Sequence, residues 1–366
     1  MSQTGLAELL QELVRIDSVN PDLIPGGAGE GEIARFIAGW CERAGLEVEI
    51  EEAAPGRPNV IATARGSGGG RVLMLNGHVD TVGVAGMDEP FSGRIEGGRL
   101  YGRGAYDMKG SVAASMAACA RARELRLRGD VILTAVADEE VASAGSALVA
   151  RLRRADAAIV TEPTELRVAV CHKGFAALEL ETAGRAAHGS RPDLGVDSIA
   201  RMGHVLVRLE ELDRTLRASP SHRLLGSGSL HASVIEGGQE YSSYPERCVL
   251  QAERRTIPGE TVAQVEAEAQ ALLGGLDGTA RVVLAREPFE VAEDEPIVEL
   301  VRRHSGTPVA GVAYWADSAL LAAAGIPTVL FGPAGEGAHA AVEWVDLASV
   351  ERCAEVYLAV AAELCA

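Results

Sequence analysis

The pattern of apolar and polar residues along this chain predicts helices and strands that alternate in order. Residues 6–16 and 30–44 have the apolar spacing of amphipathic helices. The run Val72-Leu73-Met74-Leu75 has the length and composition of a buried strand, and similar runs recur along the chain. Because strands that alternate with helices are typical of α/β domains, we predict a mostly parallel sheet covered by helices on both faces.

This α/β pattern extends to about residue 161. The helix predicted at 109–126 is rich in Ala, Ser and Met, so it can lie close against a sheet. Besides the strand that begins at Val72, strands are predicted at 46–52, 58–64, 130–137 and 157–161. A hairpin that turns on Gly97-Gly98 is predicted at 90–104, and a further helix at 143–154.

The pattern changes after Gly174 and returns near Pro296. The intervening segment predicts a strand at 175–183, a helix at 197–217, strands near 229–236 and 246–255, a helix at 261–274 and a strand near 280–285. The order β-α-β-β-α-β is that of a small ferredoxin-like unit. Helices at 296–303 and 346–364 and a buried strand at 328–331 then resume the first style. We therefore predict a discontinuous domain, residues 1–174 and 288–366, interrupted by an inserted domain at 175–287.

Composition excludes several classes of function. The 366-residue chain is 47% hydrophobic and 23% charged, with a net charge of −18 and a pI near 4.9. Such a charge repels phosphate backbones, so we expect no nucleic-acid partner. No apolar run approaches the roughly 20 residues of a membrane span, and the start lacks the pattern of a signal peptide. Six scattered cysteines without a C-x-x-C pair indicate free thiols. We expect a cytoplasmic protein.

The strand that begins at Val72 ends in two polar groups of functional type. His78 and Asp80 are two residues apart, so in an extended chain they share a face. A carboxylate beside a metal-ligating histidine often accepts its second ring N–H and thereby fixes its orientation. Taken alone, the pair is more typical of a histidine that merely ends a strand.

Further acidic and imidazole groups follow other predicted strands. Asp107 precedes a helix, and a role as its N-cap would be enough to explain this residue. Asp138-Glu139-Glu140 follow an apolar strand, and three adjacent carboxylates are costly unless a cation or solvent offsets their charge. Glu162 follows the next strand, and His339 lies in a glycine-rich loop. Taken alone, Asp138-Glu139-Glu140 could be a solvated acidic loop, and His339 could be a structural histidine.

Together these groups predict a metal site. Ligands of open α/β sheets gather beyond the carboxyl ends of the strands. Mixed nitrogen and oxygen ligands suit zinc, and the lack of cysteine ligands argues against a closed structural site. The number of ligands suggests two metals about 3.5–4 Å apart that share a carboxylate. Glu139 and Glu140 can both reach such a site only where the chain leaves the strand; one could then bind metal while the other takes a proton.

The motifs in this order and spacing resemble the M20 family of metallopeptidases and deacylases, the group of acetylornithine deacetylase, succinyl-diaminopimelate desuccinylase and glutamate carboxypeptidase. The likeness spans nearly the whole chain. The residues that carry it are Gly77-His78-Val79-Asp80-Thr81-Val82, Gly102-Arg103-Gly104-Ala105-Tyr106-Asp107-Met108-Lys109-Gly110, Asp138-Glu139-Glu140, Thr161-Glu162-Pro163-Thr164 and the loop that contains His339.

The resemblance implies a centre of two zinc ions. In this family's arrangement, His78, Asp107 and Glu162 would hold one ion. Asp107, Glu140 and His339 would hold the other, and Asp107 would bridge the two. Co²⁺ or Mn²⁺ are alternatives to Zn²⁺, because availability as well as ligand type selects the metal.

The resemblance also implies roles for residues that bind no metal. Asp80 would orient His78, and Glu139 would be the general base. His188 would reach an active site from the inserted domain, which is the lid and dimerisation domain of the family, and Arg255 would face a substrate carboxylate. Without the motif, Arg255 would be read as a surface charge on a strand. The chain departs from many members at Ser242, where an asparagine amide usually contacts the substrate backbone.

The resemblance therefore implies an amidohydrolase that cleaves N-acyl amino acids, as acetylornithine deacetylase does, and that forms a homodimer through the inserted domain. A carboxypeptidase or dipeptidase of the same family, which acts on short peptides with a free carboxylate, is the nearest alternative. A metal-binding or scaffolding protein that kept the fold without catalysis is an alternative of another class.

Overall fold

A strand of six buried residues, Leu73–His78, lies inside the larger of two structural units. The structure is a computed structural model, and residues 3–366 are described. The first unit contains the chain up to Val170, together with Val291–Ala310 and Ala316–Ala366. The second unit contains Cys171–Glu290 and Gly311–Trp315.

The helices and strands follow the predicted order closely. The helices are α1 (Gln3–Arg15), α2 (Gly31–Arg43), α3 (Gly110–Ala122), α4 (Ala144–Leu152), α5 (Ser198–Ala218), α6 (Val262–Leu273), α7 (Pro296–Ser305), α8 (Ser318–Ala323) and α9 (Leu347–Leu364). The strands are β1 (Glu47–Ala54), β2 (Arg57–Ala64), β3 (Leu73–His78), β4 (Arg94–Glu96), β5 (Arg99–Tyr101), β6 (Val131–Val136), β7 (Ala157–Val160), β8 (Val168–His172), β9 (Gly174–Ala183), β10 (Ser229–Gly237), β11 (Arg247–Thr256), β12 (Gly278–Arg286), β13 (Phe289–Glu290), β14 (Val309–Val312), β15 (Thr328–Leu330), β16 (Gly335–Glu336) and β17 (Trp344–Asp346).

The main sheet of the first unit has a parallel centre. Its strand order is β1-β2-β6-β3-β7-β15-β8, in which β6, β3, β7 and β15 run parallel and the flanking pairs are antiparallel. In this register His78 lies opposite Val136, and Asn76 lies opposite Val160. The carboxyl ends of β3, β6 and β7 therefore meet at one edge, which confirms the predicted α/β fold.

Helices cover both faces of this sheet. The side chain of Asn76 in β3 donates a 3.1 Å hydrogen bond to the hydroxyl of Ser146 in α4. At the next residue, Gly77, a Cβ atom would lie 3.3 Å from Cγ2 of Val112 in α3. Because adjacent strand residues face opposite sides, α4 and α3 lie on opposite faces. The small residues of α3 are buried almost throughout, which lets this helix pack closely.

The second unit has the predicted ferredoxin-like arrangement. Its sheet order is β10-β11-β9-β12, with every neighbouring pair antiparallel. Burial alternates along β9, whose inward residues Leu178 and Leu180 join a core with Met202 of α5 and Val265 of α6. One layer of two helices on an antiparallel sheet follows from this alternation. It stays a prediction that residues 1–174 and 288–366 form the metal-binding catalytic domain. It also stays a prediction that residues 175–287 form a lid and dimerisation domain.

Two whole-chain expectations concern thiols and membranes. The six cysteines all lie in the described part of the chain, are buried, and form no disulfide bond. Among residues 3–366, no helix combines the length and the apolar composition that are needed to cross a membrane.

Candidate metal centre

Strand ends bring four polar side chains to one edge of the main sheet. His78 ends β3, and Glu162 lies two residues after the end of β7. Glu139 and Glu140 follow β6 after Asp138, whose φ of +68° turns the chain out of its extended path. The chain therefore leaves the strand just before the two glutamates, which is the condition under which both can face one site.

Two loops complete the cluster with Asp107 and His339. Oδ1 of Asp107 lies 3.1 Å from Nε2 of His78, and Oδ2 lies 3.4 Å from Nε2 of His339. Nε2 of His78 is also 3.8 Å from Oε1 of Glu162, and Nε2 of His339 is 3.3 Å from Oε2 of Glu140. The two oxygens of one carboxylate thus face two different imidazoles.

These contacts define two groups of candidate ligand atoms. We call His78, Asp107 and Glu162 the Glu162 position, and Asp107, Glu140 and His339 the His339 position. Within each group the ligand atoms lie no more than 4.8 Å from one another. Asp107 belongs to both, as expected of a carboxylate shared between two cations.

The chemistry of the cluster fits divalent cations. Oε1 of Glu140 is buried without a hydrogen-bond partner, and a buried acceptor of this kind needs a cation or a donor. Burial, with repulsion from Asp107, raises the pKa of Glu162 to about 8. Contacts with Asp107 and Glu140 raise the pKa of His339 to about 10. The cluster therefore demands positive charge, which protons or metal ions can supply.

Asp80 connects His78 to the two glutamates. Nδ1 of His78 lies 2.9 Å from the backbone carbonyl oxygen of Asp80, whereas Oδ1 of Asp80 is 3.6 Å away. The carboxylate instead accepts backbone N–H bonds from Glu139 (3.1 Å) and Glu140 (3.2 Å). The role of Asp80 in orienting His78 stays a prediction. Of the two groups of Asp80 near the His78 ring, the backbone carbonyl makes the shorter contact.

Glu139 has the electrostatic setting of a proton-transfer group. Burial raises its pKa well above the ordinary value, and the negative charges of Asp317, Glu162 and Glu140 add to this, although His78 opposes it. A carboxylate whose pKa is moved toward neutrality can both accept and return a proton near pH 7. The predicted role as general base is consistent with this setting and stays a prediction.

Comparison with known proteins identifies the family of the chain. The model of Peptidase family M20/M25/M40 matches residues 74–363 of the chain. The chain belongs to this family. It is an enzyme of the M20 class, which hydrolyses amide bonds.

Individual M20 relatives resemble the chain over its full length. The acetylornithine deacetylase of Myxococcus xanthus is 32% identical over an alignment of 389 positions, which covers 100% of this chain and 99% of the relative. A tripeptidase structure from Staphylococcus aureus aligns with a TM-score of 0.80 at 20% identity, covering 100% of this chain and 99% of that one. The Bacillus subtilis YXEP protein, described as a dinuclear metal-binding peptidase of the M20 family, aligns with a TM-score of 0.73 at 16% identity, covering 99% and 98%.

Two predicted M20 site residues belong to the second unit. His188 is exposed on a loop, where its Nδ1 lies 2.8 Å from the hydroxyl of Ser190. Arg255 of β11 is half-buried and donates two hydrogen bonds to Glu253, at 2.6 and 3.2 Å. The reach of His188 to an active site and the role of Arg255 toward a substrate carboxylate stay predictions.

A buried polar network, which the sequence pattern did not predict, lies behind this candidate centre. Arg57 donates two 2.7 Å hydrogen bonds to Glu30 and one of 3.0 Å to Asp138. Asn20 donates to Asp138 at 3.2 Å and to Asp80 at 2.8 Å. Their positions next to apolar runs were the one signal that these polar residues could be buried. Nothing in the sequence indicates which of them contact one another.

Proposed function

We propose that this M20 enzyme is a two-metal deacylase that hydrolyses the amide bond of an N-acyl amino acid. The observation that carries the proposal is the position of Asp107, whose two oxygens face His78 and His339. Similarity to an acetylornithine deacetylase over the full length of both chains supports the choice of an N-acyl amino acid as substrate.

Two metal ions would be held by the residues of the Glu162 and His339 positions. Zinc is the proposed metal, since imidazole and carboxylate ligands without thiolate suit an open zinc site; cobalt and manganese are alternatives. When bound, a pair of divalent cations supplies Lewis acidity that activates water and polarises an amide carbonyl. The buried Oε1 of Glu140 and the shared carboxylate of Asp107 support this occupancy.

Glu139 would move the proton in this reaction. Its carboxylate would accept a proton from the attacking water and return it to the leaving amine nitrogen. The backbone N–H of Glu139 donates to Asp80, so the residue is fixed at its backbone while its side chain stays half-buried. A raised pKa suits both directions of transfer near neutral pH.

The second unit would supply substrate contacts and the dimer interface. A ring N–H of His188 would stabilise the oxyanion that forms from the amide carbonyl. Arg255 would pair with the α-carboxylate of the substrate through its two N–H groups. We further propose a homodimer through the inserted domain, and the position of β10 at the edge of its sheet supports this, because an edge strand offers backbone groups for pairing.

Metal loading combined with a substrate comparison tests the proposal. The protein would be stripped with a chelator, reloaded with Zn²⁺, and assayed on acetyl-, succinyl- and formyl-amino acids and on dipeptides. We expect two ions per chain and metal-dependent cleavage of an N-acyl amino acid in preference to dipeptides. Asp107→Asn should lose both ions, whereas Glu162→Gln should lose one.

The opposite results are equally informative. Cleavage of dipeptides alone would identify a peptidase and refute the deacylase proposal. Two bound ions without turnover of any amide would point to a metal-binding protein that kept the fold. An Asp107→Asn variant that retains both ions would remove Asp107 from the bridging position.

A further inference from the structure

A buried ion pair joins two distant parts of the first unit. Nη1 of Arg103 lies 2.6 Å from Oε2 of Glu343, and the two residues are 240 positions apart in the chain. Arg103 is 2% exposed and Glu343 is 1% exposed. Removing a charged pair from water costs free energy, and further hydrogen bonds to the two side chains are needed to offset that cost.

The carboxylate of Glu343 binds the backbone turn that presents Asp107. Oε1 accepts N–H bonds from Tyr106 at 2.9 Å and from Asp107 itself at 3.1 Å. Oε2 accepts a bond from the N–H of Gly104 at 3.1 Å. One carboxylate thus determines the path of the backbone on both sides of Tyr106. Displacing it would move the shared ligand.

The guanidinium of Arg103 binds the loop that presents His339. Its Nη2 donates a 3.0 Å hydrogen bond to the carbonyl oxygen of Ala340, the residue after His339. The side chain of His339 is 55% exposed, and its φ of +62° lies in the left-handed region. This ligand therefore has little packing of its own, and the contact of Arg103 with Ala340 restrains the backbone beside it.

The other ligands of the Glu162 position are restrained differently. His78 is part of the buried strand β3, and its neighbours pair with β6 and β7 on both sides. Glu162 follows Thr161, whose backbone N–H donates to the carbonyl of Asn76 at 2.8 Å. The sheet itself therefore fixes these two ligands.

We propose that Arg103 and Glu343 are positioning residues that set unequal metal affinities at the two positions. The contact of Arg103 with Ala340 bears on the His339 position alone, whereas its ion pair with Glu343, which a lysine can retain, bears on the shared Asp107. Glu343 acts on both positions, because it holds the turn of the shared Asp107. This inference rests on the proposed two-metal function, and it predicts that the two variants weaken different sets of ions.

The test is a Co²⁺ titration of the stripped full-length chain, followed by calorimetry and by the visible absorption of bound cobalt. Arg103→Lys keeps the positive charge beside Glu343 but removes the forked donor that reaches Ala340. We expect its second equivalent of Co²⁺ to bind about 10–100-fold more weakly and its first to stay within about twofold of wild type. Glu343→Gln should weaken both equivalents. The matched control is Glu268→Gln, which removes one of the two carboxylates around the buried Arg254 of the second unit and should change neither.

Each alternative outcome has a separate meaning. If Arg103→Lys binds both ions as wild type does, or weakens both equally, the inference is overturned. Equal losses in Glu268→Gln would indicate general destabilisation and overturn it as well. A wild-type chain that binds fewer than two ions would refute the two-metal function itself, and this inference with it.

Hydrogen exchange provides a second measurement that needs no metal. In stripped Arg103→Lys we expect faster exchange of amides at 337–342 than in wild type, with unchanged exchange in β3. Unchanged exchange at 337–342 would show that Arg103 does not restrain the loop, and would overturn the inference even for a variant that binds cobalt poorly.

Discussion

The side-chain amide of Asn20 donates a 2.8 Å hydrogen bond to Oδ2 of Asp80, the residue whose backbone carbonyl contacts His78. The same amide nitrogen lies 3.2 Å from Oδ1 of Asp138. One neutral group thus separates two buried carboxylates behind the candidate metal centre. The arrangement links the loop before α2 to the ends of β3 and β6, where the candidate ligands lie.

Asn20→Asp should disturb the centre without touching a ligand. The new carboxylate would repel Asp80 and Asp138, because like charges disfavour one another in a buried site. We expect metal affinity to fall about 10–100-fold, as is typical when a partner of a ligand is altered, together with a lower melting temperature. Calorimetric titration with Zn²⁺ measures the first effect. Glu12→Gln is the control, because that carboxylate is 53% exposed and pairs with Arg15 rather than with this network. Wild-type affinity in Asn20→Asp would show that the amide has no positioning role.

Glu139→Gln should separate metal binding from proton transfer. The amide cannot accept a proton, so kcat should fall about a hundred- to ten-thousandfold while two ions remain bound. Elemental analysis of the reloaded variant and steady-state kinetics provide the two readouts. Glu140→Gln, one residue further on, should instead lose the ion of the His339 position. Full turnover in Glu139→Gln would assign the base to another group.

Arg255→Ala should weaken substrate binding. Loss of a two-bond contact with a carboxylate is expected to raise KM about 10–100-fold for N-acyl amino acids. An amidated substrate without the carboxylate should show no such change. Arg281→Ala removes another arginine of the same sheet, one that pairs with Glu179, and should leave KM unaltered. If both variants keep the wild-type KM, Arg255 does not bind the carboxylate.

Asp317 should make the metal-free protein less stable as pH rises through mildly acidic values. Burial raises the pKa of this carboxyl to about 6, although hydrogen bonds with Ser146 and Ser143 oppose the rise. Since the unfolded chain releases this proton near pH 4, the folded state binds more protons between about pH 4 and 6. The contribution of Asp317 to the free energy of unfolding is therefore present below about pH 4 and is lost by about pH 6. Urea denaturation at a series of pH values should show that Asp317→Asn lacks this part of the decline. Parallel curves for the two proteins would contradict it.

Several residues of the candidate centre could be predicted from the local sequence pattern. His78, Glu140 and Glu162 could be placed because each lies at the end of an apolar strand, and parallel strands bring such ends to one edge. Asp107 and His339 lie outside the regular strands and carry no periodic signal, so residue type and the motifs indicated them. β8 was not predicted, since its five residues, Val168–His172, carry no alternation that separates a strand from other buried chain.

The sequence by itself determined the order of most helices and strands, the ferredoxin-like insertion and the types of candidate ligand, because these depend on periodicity and on residues near each other in the chain. Tertiary structure decided which polar groups meet. Arg103 and Glu343 are 240 positions apart, and Asn20 and Asp138 are 118 apart. Such contacts arise only when packing of the sheet and its helices excludes water and leaves each buried charge or amide to find a partner.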